Sequence, residues 1–165
     1  MSVITPISMD HTQFLGNTLR SIAMEKSGIL KPNIPAVIAP QFQVVSEVIT
    51  STAIRVGSPL FRHGFEWCFK TQSANRKLML HLNDKWLDLE TPSLLGQHQL
   101  SNAATAAVTL LSLPKQSVGP PHVRNGLNAL LTRSAFYRLI DYAIEKNDQL
   151  WVKSSGESFT LGPIN

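Results

Sequence analysis

The run Asp10-His11-Thr12-Gln13-Phe14-Leu15-Gly16-Asn17-Thr18-Leu19-Arg20-Ser21-Ile22-Ala23-Met24-Glu25-Lys26-Ser27-Gly28-Ile29-Leu30-Lys31-Pro32 decides the fold, through its own spacing and through what flanks it. Before it, residues 2–8 (S-V-I-T-P-I-S) form a short β-branched stretch ending in polar residues, which reads as a buried strand. Inside it, Asn17-Thr18 offers an N-cap, and Leu19, Ile22, Ala23 and Lys26 follow at helical spacing. Gly28 is the expected C′ residue closing that helix. After it, residues 35–39 (P-A-V-I-A) read as a second buried strand, punctuated by Pro32, Pro35 and Pro40. Residues 44–56 then place Val44, Val45, Val48, Ile49 and Ile54 on an amphipathic helix. Strand, helix, strand, helix in this order predicts an α/β fold: a parallel sheet with flanking helices.

Further along the chain the pattern changes. Residues 65–69, 78–82 and 86–89 alternate apolar and polar side chains, with Asn83-Asp84 as a turn between the last two, so a small antiparallel hairpin region is expected. Residues 97–113 are rich in Ala and Leu and read as a helix entered at Gly96 and stopped before Pro114. Residues 122–131 form a shorter helix started by Pro120-Pro121. Past Ser134 the pattern weakens: residues 136–144 and 150–152 read as strands, and residues 156–165 as loop. No internal repeat or low-complexity tract is visible.

The totals bound the class. At 165 residues, with 43% hydrophobic and 16% charged, the chain is of globular composition and long enough for one sizeable core. No apolar run approaches the roughly 18 residues of a membrane span, and residues 1–10 lack a secretory signal pattern. A single cysteine excludes an intrachain disulfide, and Cys68, within F-E-W-C-F, reads as a structural thiol. The net charge of +4 comes from scattered basic residues without a run or interleaved aromatics, so no nucleic-acid or membrane partner is expected.

Chemistry concentrates at two places. Asp10-His11 follows directly on a buried strand, and in an open parallel sheet ligands collect at the loops beyond the strands' carboxyl ends. His11 is a candidate metal ligand through its neutral imidazole, although a lone histidine is more often structural. Lys26, at the end of the next helix, is most simply a cation answering the helix dipole. The second place is L-G-Q-H-Q-L-S-N-A-A-T-A over residues 95–106, which on its own reads as an Ala-rich helix with polar residues at its N-terminus.

Residues 10–32 resemble the signature of the folylpolyglutamate and dihydrofolate synthases, in the Mur-ligase superfamily, whose pattern is D-H-T, L-G-x-T, I-A and E-K-[AS]-G-I-x-K-P. Phe14-Leu15-Gly16-Asn17-Thr18 is particularly similar to fungal dihydrofolate synthases, and residues 95–106 resemble the family's G-x-H-Q-x-x-N-A-A-T-A. The resemblance implies a Mur-ligase-type central domain that binds ATP and Mg2+. It implies His11 as a ligand of the second magnesium ion and Lys26 as a carbamylated lysine whose carbamate adds hard oxygen donors at that metal. It places His98 and Asn102 at the adenine of ATP, Asn102 being the base contact. The implied reaction phosphorylates a dihydropteroate or folate carboxylate to an acyl phosphate, which the amine of L-glutamate then attacks. Magnesium neutralises the phosphate oxygens in such a transfer. A cytoplasmic location follows, or a mitochondrial one for a full-length parent.

The resemblance also has gaps. The family's phosphate-cradling G-T-N-G-K-G-[ST] occurs nowhere in the 165 residues, and is expected, with a metal-bridging glutamate, ahead of residue 1. Val123-Arg124-Asn125-Gly126-Leu127 resembles the family's I-x-x-G-L helix, but the W-P-G/A-R that should follow is missing and Arg133 is its nearest stand-in. The D-x-x-H-N motif of the glutamate-binding domain is absent as well. The expected organisation is a partial ATP-binding central domain over residues 1–131, followed by a divergent linker or C-terminal remnant over residues 132–165. Such a chain is expected to be a truncated, inactive form with an unpaired sheet edge prone to self-association. Two rivals stand beside this reading: a short non-catalytic protein binding a partner through that edge, and a Mur-type peptidoglycan ligase, against which E-K-S-G-I argues.

Overall fold

The computed structural model describes residues 1–9, 18–72, 77–90, 97–113, 118–128, 151–153 and 158–159. The chain divides into two compact units, Met1–His63 with Gln149–Asn165, and Gly64–Asp148. The expected strands at residues 136–144 and the domain boundary at residue 131 lie outside the described residues.

The first unit is the parallel sheet. Its strands are β1 (Ser2–Ile4), β2 (Ala36–Ile38) and β3 (Leu60–Arg62), with β1 parallel to β2 and β2 parallel to β3. Two helices connect them, α1 (Leu19–Ser27) and α2 (Gln43–Val56). The strands are shorter than the apolar runs suggest: β1 ends at Ile4, because the ring of Pro6 removes a donor from the ladder. Period-two alternation sends Ile4, Ala36 and Ile38 to one face, where Ile22, Ala23, Val45, Val48, Ile49 and Ala53 of the helices close a core over them. Val3 and Val37, on the opposite face, are buried too, as expected for a parallel sheet with both faces covered.

The helix ends follow from local chemistry. Thr18 caps α1: its Oγ1 accepts from the Ser21 backbone N–H at 3.1 Å, and the Ser21 hydroxyl answers the Thr18 backbone N–H at 3.3 Å. Gly28 departs from expectation. It is right-handed (φ −60°, ψ −14°), because the turns donated by Ile29 to Lys26 and by Leu30 to Ser27 keep the chain winding in the same sense. Its glycine serves close approach instead: a Cβ would stand 3.1 Å from the Glu25 carbonyl oxygen. Gly57, after α2, is the left-handed cap, with φ +77° and its N–H on Ala53 O at 2.8 Å.

The C-terminal strands belong to the same sheet. β7 (Trp151–Lys153) lies parallel to β1, and β8 (Ser158–Phe159) antiparallel to β7, giving the order β3-β2-β1-β7-β8. Among the described residues the outer strands of this sheet are therefore β3 and β8, while β1 is paired on both sides.

The second unit contains an antiparallel sheet of β4 (Trp67–Gln72), β5 (Lys77–Leu82) and β6 (Lys85–Glu90). β4 begins at Trp67 rather than Phe65, since Gly64 adopts φ +85° and the chain turns through Phe65 and Glu66. Leu82 and Lys85 pair across Asn83 and Asp84, whose φ values of 51° and 57° make the two-residue turn matched to strand twist. Trp67, Leu78, Leu80, Leu82 and Leu89 share the buried face. On the other face Cys68, half-buried, stands in register with His81, and Lys70 Nζ lies 5.2 Å over the Trp86 ring. Helix α3 (Gln97–Leu111) is buried at every residue from Ala103 to Leu110, and α4 (Pro120–Asn128) meets β6 through Arg124 Nε, which donates to Asp88 O at 2.9 Å.

Candidate nucleotide and metal site

Lys26 is the one site candidate inside the first unit's core that the described residues include. The helix period puts Ile22, Ala23, Lys26 and Ser27 on the inner face of α1, and Lys26 is only 3% exposed. Its neighbours are held from several directions. Ser27 Oγ donates to Ala23 O at 2.6 Å, and Ser2 Oγ to Ile29 O at 3.2 Å, so the end of α1 is fastened to β1. A lysine so enclosed either has its ammonium satisfied or has that charge removed chemically. The carbonyl end of α1 favours a positive charge there, which supports the dipole reading.

The segment ahead of residues 10–12 is splinted by a residue the sequence reading did not single out. Gln41, just beyond β2, donates from Nε2 to Thr5 O at 2.8 Å and accepts at Oε1 from the Ile7 N–H at 2.9 Å. One side-chain amide thus imitates a strand partner for the backbone that has left β1, at the carboxyl edge of the sheet. Ala39 N–H on Ile4 O, at 3.0 Å, closes the same corner. No local pattern marks Gln41, because its partners lie more than thirty residues away in sequence. His11, Asp10 and Thr12 lie outside the described residues. Among the described residues no three His, Cys, Asp or Glu side chains gather as a metal cluster.

His98 and Asn102 belong to the second unit. They are one turn apart on the first half of α3 and so share a face, His98 exposed and Asn102 half-buried. Because α3 is enclosed from Ala103 onward, its first turn and a half is the part that reaches solvent. Two side-chain atoms there, Gln99 Oε1 and Ser101 Oγ, are buried without a hydrogen-bond partner among the described residues. Thr105 and Thr109, deeper in, instead turn their hydroxyls back onto Ser101 O and Thr105 O at 2.8 Å each. The polar start of α3 thus differs from its self-satisfied interior. Lys26 stands in one unit, and His98 with Asn102 in the other.

Comparison with solved structures defines the class. A mutant of L. casei FPGS superposes with a TM-score of 0.70 at 29% identity, over 79% of this chain and 33% of that one. E. coli FolC in complex with DHPP and ADP gives 0.67 at 30% identity, over 79% and 30%. The fold is therefore that of the Mur-ligase-type α/β domain. Among curated proteins, the probable dihydrofolate synthetase of Schizosaccharomyces pombe is 34% identical over 131 residues, covering 77% of this chain and 30% of the relative. The dihydrofolate synthase/folylpolyglutamate synthase of Bacillus subtilis is 34% identical over 122 residues, covering 72% and 28%. The chain belongs to the folylpolyglutamate/dihydrofolate synthase family, and it spans less than a third of the length of these curated relatives. A family model also matches residues 115–161: the C-terminal domain of a protein of unknown function (DUF1285).

Proposed function

We propose that this chain carries part of the ATP- and metal-handling half of a folate-pathway ligase, one that joins L-glutamate to dihydropteroate or a folate. The observation that carries the reading is Lys26, buried at the end of α1 in a chain similar to the synthases. In the proposed reaction the γ-phosphoryl group of ATP passes to a carboxylate oxygen of the pteroate or folate, giving an acyl phosphate and ADP. The glutamate amine then attacks the acyl carbon, phosphate leaves with the C–O bonding pair, and the amine proton goes to solvent. Activation by ATP is needed because a carboxylate does not condense with an amine at neutral pH.

Magnesium, when bound, neutralises the phosphate oxygens. His11 and a carbamylated Lys26 are the residues of this chain that would hold it. An enclosed lysine suits carbamylation, since the modification needs the neutral amine and burial disfavours the ammonium. His98 and Asn102 would hold the adenine, with the two unsatisfied atoms on the same turn of α3 adding polar capacity there. Gln41 would act as a positioning residue, holding residues 5–7 so that the loop after them starts from a fixed point.

On this reading the 165-residue chain alone does not turn over, since it contains no glycine-rich phosphate loop. Residues 1–131 would be the ligase segment, at home in the cytosol or, in a longer parent, the mitochondrion. Two measurements test the proposal separately. Carbon-13 NMR in labelled bicarbonate is expected to show a carbamate signal that Lys26→Met abolishes; its absence from the unsubstituted chain would overturn the role of Lys26. ADP release from ATP, dihydropteroate and glutamate is expected to stay at background, and folate-dependent release would overturn the inactivity.

A further inference from the structure

The C-terminal strands carry an inference that the ligase reading does not. β1 is the strand ahead of residues 10–12, and Ser2, Val3 and Ile4 are all fully buried. β2 fills one of its edges, with Ser2↔Ala36, Val3↔Val37 and Ile4↔Ile38 in register. The other edge is filled by β7, with Ser2↔Trp151, Val3↔Val152 and Ile4↔Lys153. β8 then folds back antiparallel on β7, through Val152↔Phe159 and Lys153↔Ser158, so the sheet ends on a strand of two residues. A buried strand with one unpaired edge leaves a row of amide and carbonyl groups unsatisfied, and such a row is a template for pairing with another chain. A two-residue outer strand is a poor template, since short edges are one way proteins blunt this hazard.

A second observation separates this strand pair from its neighbours. Both β7 and β8 fall within residues 115–161, which match a family model other than the folate synthases. We infer that the C-terminal segment is a sheet-closing strap of separate ancestry, which occupies the open edge of β1 and keeps the ligase-like segment from self-association. It pairs the second edge of β1 within one chain, and it competes with any other strand for that edge.

The full chain allows a direct test. In a Cys68→Ser background, Val3→Cys and Val152→Cys would place two thiols at register partners, whose Cα atoms in a sheet lie roughly 4.8 Å apart. That separation is inside the disulfide range, so mild oxidation is expected to give an intrachain cross-link. Absence of a cross-link, or only interchain products, would overturn the pairing. The consequence is read with Lys153→Pro against Lys153→Thr as control: Ser2 and Ile4 bond to β2, so Val3 faces β7 and its carbonyl is answered by the Lys153 amide, the donor that proline removes. Amide exchange at residues 2–4 is expected to speed at least tenfold in Lys153→Pro while that of α2 is unchanged, and light scattering is expected to show concentration-dependent association. Exchange at residues 2–4 as slow as in the control, or a variant that stays monomeric, would overturn the strap.

Discussion

Lys26 can be tested for stability independently of any catalysis, by comparing Lys26→Met with Lys26→Ala. The side chain is enclosed at the end of α1, so its methylene stem contributes packing whatever the amine does. Alanine removes three stem methylenes, and at about 0.8 kcal/mol each that is roughly 2.4 kcal/mol of lost burial. Methionine keeps a chain of similar reach and removes the charge, whose burial opposes folding. If the amine is kept for chemistry and not for holding the helix, Lys26→Met should lie within about 1 kcal/mol of the unsubstituted chain or above it, while Lys26→Ala falls by about 2 kcal/mol. Urea unfolding followed by far-ultraviolet circular dichroism would report both, at unchanged m-value. A methionine variant as unstable as the alanine variant would refute the reasoning, because it would show that hydrogen bonds from the ammonium fasten α1 to the sheet.

Three further outcomes are expected. Burial holds the His63 imidazole below its ordinary value, so the unfolded chain binds the proton first and stability should fall as pH drops through about 6.5; thermal melts between pH 7.5 and 5.5 should flatten in His63→Gln, and an unchanged slope would count against it. Thr18→Ala removes the capping pair with Ser21 and should cost roughly 1 kcal/mol, measured by urea midpoint, with Thr18→Ser close to the unsubstituted chain. Asp84 has φ +57° in the two-residue turn between β5 and β6, so Asp84→Gly should be neutral to mildly stabilising and Asp84→Val destabilising by about 1 kcal/mol or more, both read as melting-temperature shifts.

Much of the first unit was legible in the sequence because its signals are local. Thr18 as N-cap, and in the second unit Asn83-Asp84 as a turn, each follow from the φ values and hydrogen bonds those residue types permit. The apolar periods of residues 19–26 and 44–54 led to α1 and α2 for the same reason. The element ends were less legible: Phe65 looks like strand by composition, yet it lies in the turn after the left-handed Gly64.

What the sequence by itself determined was the strand–helix–strand order, the likeness to the folate ligases, and the residues that could carry their chemistry. Those depend on residue type and on spacing along the chain. Tertiary structure decided the burial of Lys26, the splint from Gln41 to Thr5 and Ile7, and the meeting of residues 2–4 with residues 151–153. Each of these joins residues that no helical or strand period relates. Their contacts exist only once the sheet has formed, because pairing and burial are properties of the packed chain and not of any segment within it.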